Sequence, residues 1–349
     1  MTVKHHSKID RDATKDRPAG LGAPAATKEV LLKNLRRAGS AWVSGQSLSE
    51  RMAMTRSAVW KQIGVLREEG YDIEASPRKG YRLRGAPDLL LIQEIGDGLA
   101  TRVFGRTLTR YFEQTDSTNL RAKELAAQGA PEGTLVVAEQ QTHGKGRRQR
   151  VWFSPMRQGI YASLVLRPAI APTEAPRMTL LAAVAAADAL LALTPLEVTI
   201  KWPNDILVCN KKIAGILTEI STGMDAVDYM VVGLGLNVNI PEGNFPEAIR
   251  TQATSILTET GAVFLRSPLL RRYLESFEHY YDVMSDQGFD PVLRRWKALT
   301  SMLGRRVRVD MIGEHLTGEV SDFDEDGFMI IRDEGGRSVR IFSGDVAFL

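Results

Sequence analysis

Gly144-Lys-Gly-Arg-Arg-Gln-Arg-Val-Trp-Phe153, followed further on by Lys201-Trp-Pro-Asn-Asp205, is the pair of stretches around which this chain organises. The first is too rich in glycine and charge to bury the apolar surface that would offset its ordering entropy, so it reads as a surface loop. Its cationic heads, with backbone N–H groups bared at the glycines, can converge on phosphate oxygens. Trp152 and Phe153 can anchor one end. No GxxxxGK[ST] is present, so this is not a P-loop; the plainer alternative is a solvated basic turn. In the second stretch Pro203 forces extended geometry on Trp202 and ends a ladder. That leaves Lys201 at a strand end, where open α/β sheets gather site residues. A lysine there can stand between a carboxylate and an α-phosphate and neutralise charge as it develops. Asn204 and Asp205 can position a metal-bound phosphate, since Mg2+ prefers oxygen ligands, or simply cap the turn. Together the two stretches imply an enzyme that handles a nucleotide.

Working outward, a Leu108–Phe112 strand leads to Asp116-Ser-Thr-Asn119. Ser117, Thr118 and Asn119 can match the donors and acceptors of a small polar head, although the same residues also read as a helix N-cap. Gly233-Leu-Gly-Leu-Asn237 ends an apolar strand. Its glycines permit close approach to a flat ligand and put Asn237 near an adenine or phosphate, or else relieve a crowded core. Strands at Val136–Ala138, Ile160–Leu166 and Leu196–Ile200, with apolar runs at Ile213–Leu217 and Met230–Val238, alternate with helices. Residues 87–301 therefore read as an α/β or α+β catalytic body. The Ala-rich run Leu180–Leu193 is interrupted by Asp188 and too short to span a bilayer. It reads as a buried helix, with no membrane partner. Leu270, Tyr273, Leu274, Phe277, Tyr280, Tyr281 and Met284 form a helical core stripe.

Toward the N-terminus, Val30, Leu31 and Leu35 mark one helix, and Ser44 can cap a second carrying Leu48 and Met52. Thr55 can cap a third, with Val59, Ile63 and Leu66 inward and Gly70 as its stop. Tyr71–Arg84 alternates as a hairpin turning at Pro77–Gly80. This pattern predicts a winged helix-turn-helix over 27–86. Its third helix would present Arg56, Ser57, Trp60, Lys61 and Gln62 to a DNA major groove, with the wing cations Arg78, Lys79 and Arg82 on phosphates. Residues 27–85 hold twelve Lys/Arg against six Asp/Glu, whereas 86–349 hold 28 against 33. That asymmetry puts a polyanion partner at the N-terminal end. Residues 1–26 lack periodicity and are expected to be disordered. From 302 to 349 the period becomes two, through Val307, Val309, Val320, Phe328, Ile330, Val339 and Ile341. Turns at Asp324–Gly327 and Gly335-Gly336 complete the pattern of a small SH3-like β-barrel. The single Cys209 excludes an internal disulfide and, with no signal peptide in view, fits a cytoplasmic protein.

Asp116–Asn119, Gly144–Phe153, Lys201–Asp205, Lys212-Ile-Ala-Gly-Ile-Leu217 and Gly233–Asn237, in this order, resemble the biotin protein ligases that carry an N-terminal winged helix and double as biotin operon repressors. The resemblance covers about Lys28 to Leu349. It implies an α+β multidomain fold with a biotin/lipoate-ligase-like catalytic domain of mixed sheet. It implies biotin contacts from Ser117, Thr118, Asn119, Gln141, Lys145, Gly146, Arg147 and Lys201, with Lys201 on the biotin carboxylate and Lys201 and Arg147 catalytic. Arg147, Arg148, Arg150, Trp152, Asn204 and Asn237 would meet ATP or the adenylate, and Asp205 would reach Mg2+ through phosphate. ATP and Mg2+ are the implied cofactors, and biotin is both substrate and corepressor precursor. The implied partners are a biotin carboxyl carrier protein, an inverted-repeat operator, and a second copy of the chain once biotinyl-AMP is bound. Two positions depart from the family loop, which commonly has Arg at Lys145 and Gly at Gln149. Lysine cannot give a bidentate phosphate contact, and Gln narrows backbone freedom, so loop closure and adenylate retention are the properties at issue.

Overall fold

The computed structural model describes residues 23–223, 226–311 and 313–349, with side chains from Thr27 onward. The tail expected to be disordered lies outside the described residues up to residue 22. The chain divides into two compact units at the Pro87/Asp88 boundary.

In the first unit α1 (Ala23–Arg37) starts earlier than its periodicity indicates, so Ala23–Ala26 are helical rather than tail. Pro24 sits in the first turn, where its missing N–H costs nothing. α2 (Gly45–Arg51) and α3 (Arg56–Glu68) begin at hydroxyl caps: Ser47 N donates to Ser44 Oγ at 3.0 Å and Ala58 N to Thr55 Oγ1 at 3.2 Å. Leu31, Leu35, Leu48, Val59, Ile63 and Leu66 close a small core. β1 (Asp72–Ser76) and β2 (Gly80–Gly85) pair antiparallel as the wing, and Val43 bridges to Tyr81. Gly80 has φ 97°, and a Cβ there would lie 2.1 Å from the Val43 carbonyl oxygen, so no other residue fits.

The second unit opens with α4 (Ile92–Gly96), β3 (Thr109–Phe112), α5 (Thr118–Ala127), β4 (Leu135–Ala138) and β5 (Gly159–Leu166). It continues with α6 (Ala175–Leu193), β6 (Thr199–Lys201), β7 (Asp205–Val208), β8 (Lys211–Thr222) and β9 (Val227–Asn237). Two short helices, α7 (Glu247–Arg250) and α8 (Ile256–Thr260), precede the long α9 (Arg266–Gln287) and α10 (Asp290–Leu299). The strands form one mixed sheet in the order β3-β4-β5-β9-β8-β7-β6, parallel only between β3 and β4.

Residues 172–193 are long and apolar enough, by length and composition, to cross a membrane, but most of α6 is buried in the core it shares with the sheet, α9 and α10. Its interrupting Asp188 accepts from Tyr280 Oη at 2.6 Å and from both Nε and Nη2 of Arg295. On the opposite face α5 covers only β4, β5 and β9, through Ala122, Ala126, Val136, Val165 and Val231. Among the described residues no α-helix covers the rest of that face, and the candidate site lies there.

β10 (Arg306–Asp310), β11 (His315–Phe323), β12 (Met329–Asp333), β13 (Ser338–Ile341) and β14 (Asp345–Phe348) make an antiparallel sheet in the order β13-β12-β11-β10-β14. The expected barrel is therefore an open sheet, because the four-residue end strands β13 and β14 do not pair. It joins the body through Trp296 against Phe323 (4.5 Å between rings) and Trp202 Nε1 donating to Gly327 O at 3.0 Å.

Candidate active site

One row of cross-strand partners defines the open face. Lys201 on β6 pairs with Asp205 on β7, Asp205 with Gly215 on β8, Gly215 with Gly235 on β9, and Gly235 with Tyr161 on β5. Side chains of directly opposed residues share a face, so the two glycines floor a trough that runs inward from Lys201 and Asp205. At about 4.8 Å per strand, Lys201 and Gly235 are ~14 Å apart along it. The indole of Trp152 lies flat on this floor: a Cβ on Gly235 would meet its Cε2 at 2.4 Å, and one on Gly215 its Cζ3 at 3.3 Å.

Lys212, which the sequence reading quoted without assigning it a role, also reaches this trough. Strict alternation from Gly215 would send Lys212 to the helix-covered face. A bulge between Ile206 and Leu207 pairs Lys212 with Leu207 and turns it over, as an extra residue in one strand does. Its Nζ lies 3.2 Å from where a Gly215 Cβ would be, 5.3 Å from the Trp152 ring centroid and 2.6 Å from Asp205 Oδ1. Lys201 stands farther out, its Nζ 5.5 Å from the Phe348 ring centroid. Burial pushes the Lys201 ammonium below the usual lysine range, with Asp205 opposing.

The Gly144–Phe153 loop arches over this end as a flap. Lys145 bridges to Val151, Gly146 N donates to Arg150 O at 2.7 Å and Trp152 N to Gly144 O at 2.8 Å. Arg147 is half-buried and donates to Asn204 Oδ1 at 3.2 Å and Gly344 O at 3.5 Å. Arg148 donates to Asp345 Oδ2 at 3.2 Å and Asp310 O at 3.1 Å, and Arg150 also pairs with Asp345. The departure at Gln149 now has a physical meaning. Arg148 and Gln149 have φ of 51° and 62°, the left-handed region that glycine occupies without strain.

At the far end of the trough, Thr118 N donates to Gln141 Oε1 at 2.8 Å, Thr118 Oγ1 lies 3.1 Å from the same oxygen, and Gln141 Nε2 donates to Ser154 Oγ at 2.9 Å. Ser163 Oγ lies 2.8 Å from Thr118 Oγ1 and 2.6 Å from Asn119 Oδ1. Ser117, Thr118, Asn119 and Ser163 are all buried. Ser117 occupies the N-cap position of α5 without a side-chain capping bond, so the capping alternative does not use its hydroxyl. Ser154, Ser163 and Glu219 escaped the sequence reading, since each matters only through partners far along the chain.

Asp116 holds the approach to α5. Hydrogen bonds from Arg121 chiefly, against the cost of burial, and from Ser117 N and Thr115 Oγ1, bring its carboxyl down to about 2. A depressed carboxylate stabilises the fold above its unfolded pKa near 3.8 and loses that contribution as pH falls through about 2. Asp116→Asn should therefore cost ~1–2 kcal/mol at pH 7. In thermal melts its deficit should shrink between about pH 4 and pH 2; a deficit independent of pH would refute this assignment.

The remaining expectations divide. Asn204 Nδ2 donates to Ile216 O at 2.8 Å while its Oδ1 takes Arg147, and Asn237 Nδ2 donates to Thr254 O at 2.9 Å. Both amides are thus engaged within the protein, holding Arg147 and the 239–254 segment. Lys145 is exposed, and Gly146 lies at the flap base. On the first unit Arg56, Ser57, Trp60 and Lys61 are exposed along α3 and Gln62 is half-buried. Arg82 of the wing donates to Glu74 at 2.6 Å and stacks on Trp42, where Lys79 also lies.

Family models match three segments: an HTH domain over residues 27–82, the biotin/lipoate A/B protein ligase family over 111–237, and the biotin protein ligase C-terminal domain over 302–349. The bifunctional ligase/repressor BirA of Bacillus spizizenii is 40% identical over 319 residues, covering 91% of this chain and 98% of that protein. Its Escherichia coli counterpart is 29% identical over 84% of this chain and 88% of its own length. The biotin protein ligase of Aquifex aeolicus, solved in complex with biotin and ATP, superposes with a TM-score of 0.60 at 28% identity, covering 69% of this chain and 98% of that one. A trough floored by glycine, roofed by a cationic flap and followed by an open β-sheet thus sits in a chain that belongs to the biotin protein ligase family, among its members with an N-terminal helix-turn-helix domain.

Proposed function

We infer that this chain is an ATP-dependent biotin–protein ligase, forming biotinyl-5′-AMP and transferring biotin to a lysine of a biotin carboxyl carrier protein, and that its first unit makes it a biotin-responsive repressor. The observation that carries the reading is the trough itself, with a buried hydroxyl–amide cluster at one end and two lysines under an arginine flap at the other. In the first step the biotin carboxylate attacks the α-phosphorus of ATP and pyrophosphate leaves. In the second a carrier ε-amine attacks the acyl carbon and AMP departs. Neither step needs a protein nucleophile, so positioning and charge neutralisation carry the catalysis.

Ser117, Thr118, Asn119 and Gln141 take the biotin head. Lys212, lying over the glycine floor, takes the carboxylate end, while Lys201 and Arg147 neutralise the phosphate beyond it. Arg148, Arg150 and Lys145 move with the flap, which shields the anhydride from water. Among the described residues no cluster of three or more His, Cys, Asp or Glu could hold a metal. Asp205, whose Oδ1 pairs with Lys212, would meet a Mg2+ that arrives on the nucleotide, a mode in which one carboxylate and the phosphates suffice. The ion would supply charge neutralisation of the phosphates.

Gly235 sets a steric test. A methyl there must displace the Trp152 indole, so Gly235→Ala should raise KM for biotin about ten- to hundredfold through overpacking with a native circular dichroism spectrum. An unchanged KM would remove the floor from this account.

Ordering of the flap by biotinyl-AMP also completes a homodimer in the cytoplasm, so that two α3 helices address an inverted-repeat operator. Sedimentation with and without biotin plus ATP checks this; an unaltered association state and operator affinity would dismiss it. The ligase reading is tested by incubation with ATP, Mg2+ and a carrier domain, with biotin and lipoate supplied separately, followed by avidin blotting. ATP-dependent labelling by biotin is expected, and its absence would leave a ligand-sensing DNA-binding protein.

A further inference from the structure

Glu219 belongs to no motif of the chain, and with Lys145 of the flap only at longer electrostatic range it ends the polar network at the head of the trough. On β8 it alternates with Gly215 and Leu217 onto the trough face. Its Oε2 accepts from Asn119 Nδ2 at 3.0 Å and its Oε1 from Lys123 Nζ at 3.0 Å. Asn119 Nδ2 also donates to Leu217 O at 3.2 Å, so both amide hydrogens are committed. The Asn119 Oδ1 is thereby turned toward Ser163, packed so closely on Gly233 that a Cβ there would lie 2.1 Å from it.

A carboxamide alone can present either end; the Glu219 carboxylate, acceptor-only like the Leu217 carbonyl beside it, permits one. Burial raises the Glu219 carboxyl, but hydrogen bonds from Asn119 and Lys123 outweigh it and hold the group below its ordinary range. The side chain is thus ionised at neutral pH. With Asn119 Oδ1 fixed as acceptor, the single hydrogen of Ser163 is drawn to it. The Ser163 lone pairs then face Thr118 Oγ1, whose one hydrogen turns to Ser163, while the Thr118 N–H keeps Gln141 Oε1 as its acceptor. The sense of donors and acceptors along the row is set from Glu219 inward.

We propose that Glu219 is a positioning residue for biotin recognition, fixing through Asn119 and Ser163 which atoms of the pocket donate and which accept toward the ureido head. This rests on the reading of the trough as the biotin site. The competing role is a structural ion pair with Lys123.

The test measures biotin-dependent ATP–pyrophosphate exchange by the full chain, its Glu219→Gln variant and its Lys123→Met variant, with biotin and with 2-iminobiotin. In the iminobiotin head a donor replaces the ureido oxygen. Glu219→Gln is expected to raise KM for biotin about ten- to hundredfold, the range for a hydrogen bond to a charged group. It should also narrow the preference for biotin over iminobiotin, with KM for ATP and kcat within about twofold. Lys123→Met keeps the carboxylate and should leave KM for biotin within about threefold. Equal losses in both variants, or an unchanged biotin KM and preference in Glu219→Gln, would overturn the assignment. A wild-type chain without exchange would instead bring down the ligase reading, and this assignment with it.

Discussion

Lys212→Ala is expected to lower biotinyl-adenylate formation by roughly two to three orders of magnitude, the usual cost of removing one preorganised charge from a reacting centre. The attack joins two anions, and the flap arginines cannot substitute, because Arg148 and Arg150 face Asp345 while Arg147 faces Asn204 and Gly344. Lys212 has its ammonium over the glycine floor, steadied by Asp205 and Trp152. The loss should fall on kcat more than on KM for ATP, as for an interaction made chiefly in the transition state. The same assay on Lys201→Ala separates the two lysines. A smaller loss, concentrated in KM for ATP, fits a phosphate contact at the outer end of the row. A larger loss than for Lys212→Ala would return the carboxylate to Lys201.

Arg266→Met should produce the largest stability change, about 3–5 kcal/mol, because it leaves a buried carboxylate without its partner. Arg266 and Glu139 are both fully buried; Arg266 Nη1 donates to Glu139 Oε2 at 2.6 Å and to Gly159 O at 3.1 Å. Nε and the main-chain N of Arg266 donate to Asp88 at 3.0 and 2.8 Å, and Leu90 N donates to Glu139 Oε1 at 2.7 Å. One guanidinium thus ties the first residues after Pro87 to the sheet and to the start of α9. Urea unfolding checks the figure. A companion Arg266→Met/Glu139→Leu variant should recover much of the loss, since the stranded charge goes with it. A single-variant change below about 1 kcal/mol would show that water reaches the cluster.

Which parts of this molecule could be read in the chain follows from the range of the interactions. The caps at Ser44 and Thr55, the inward stripe Val59, Ile63, Leu66 and the strand end at Lys201 are local: each is set by residues within four positions. Lys212 was legible as part of a motif but not as a site residue, because the bulge that turns it toward Gly215 depends on β7. Glu219 meets Asn119, and Arg266 meets Glu139 and Asp88, across separations of 100 to 178 residues. No periodicity encodes such meetings. The C-terminal alternation located β10 to β13 but took Phe328 and Ile330 for the inward row where Met329 and Ile331 are buried, and it missed β14; whether a sheet closes depends on pairing between its end strands, and β13 and β14 do not pair. Asn204, in the turn between β6 and β7, and Asn237, at the end of β9, have their amides turned to protein carbonyls, an orientation that residue type alone leaves open.

A structure of the chain bound to biotin and ATP tests the central claim most directly. The account predicts an acyl-adenylate lying along the trough against the Trp152 indole that rests on Gly215 and Gly235, its ring system against Thr118 and Gln141 and its acyl phosphate within hydrogen-bond distance of Lys212. An adenylate bound elsewhere, or one in this trough that Lys212 does not touch, would contradict it.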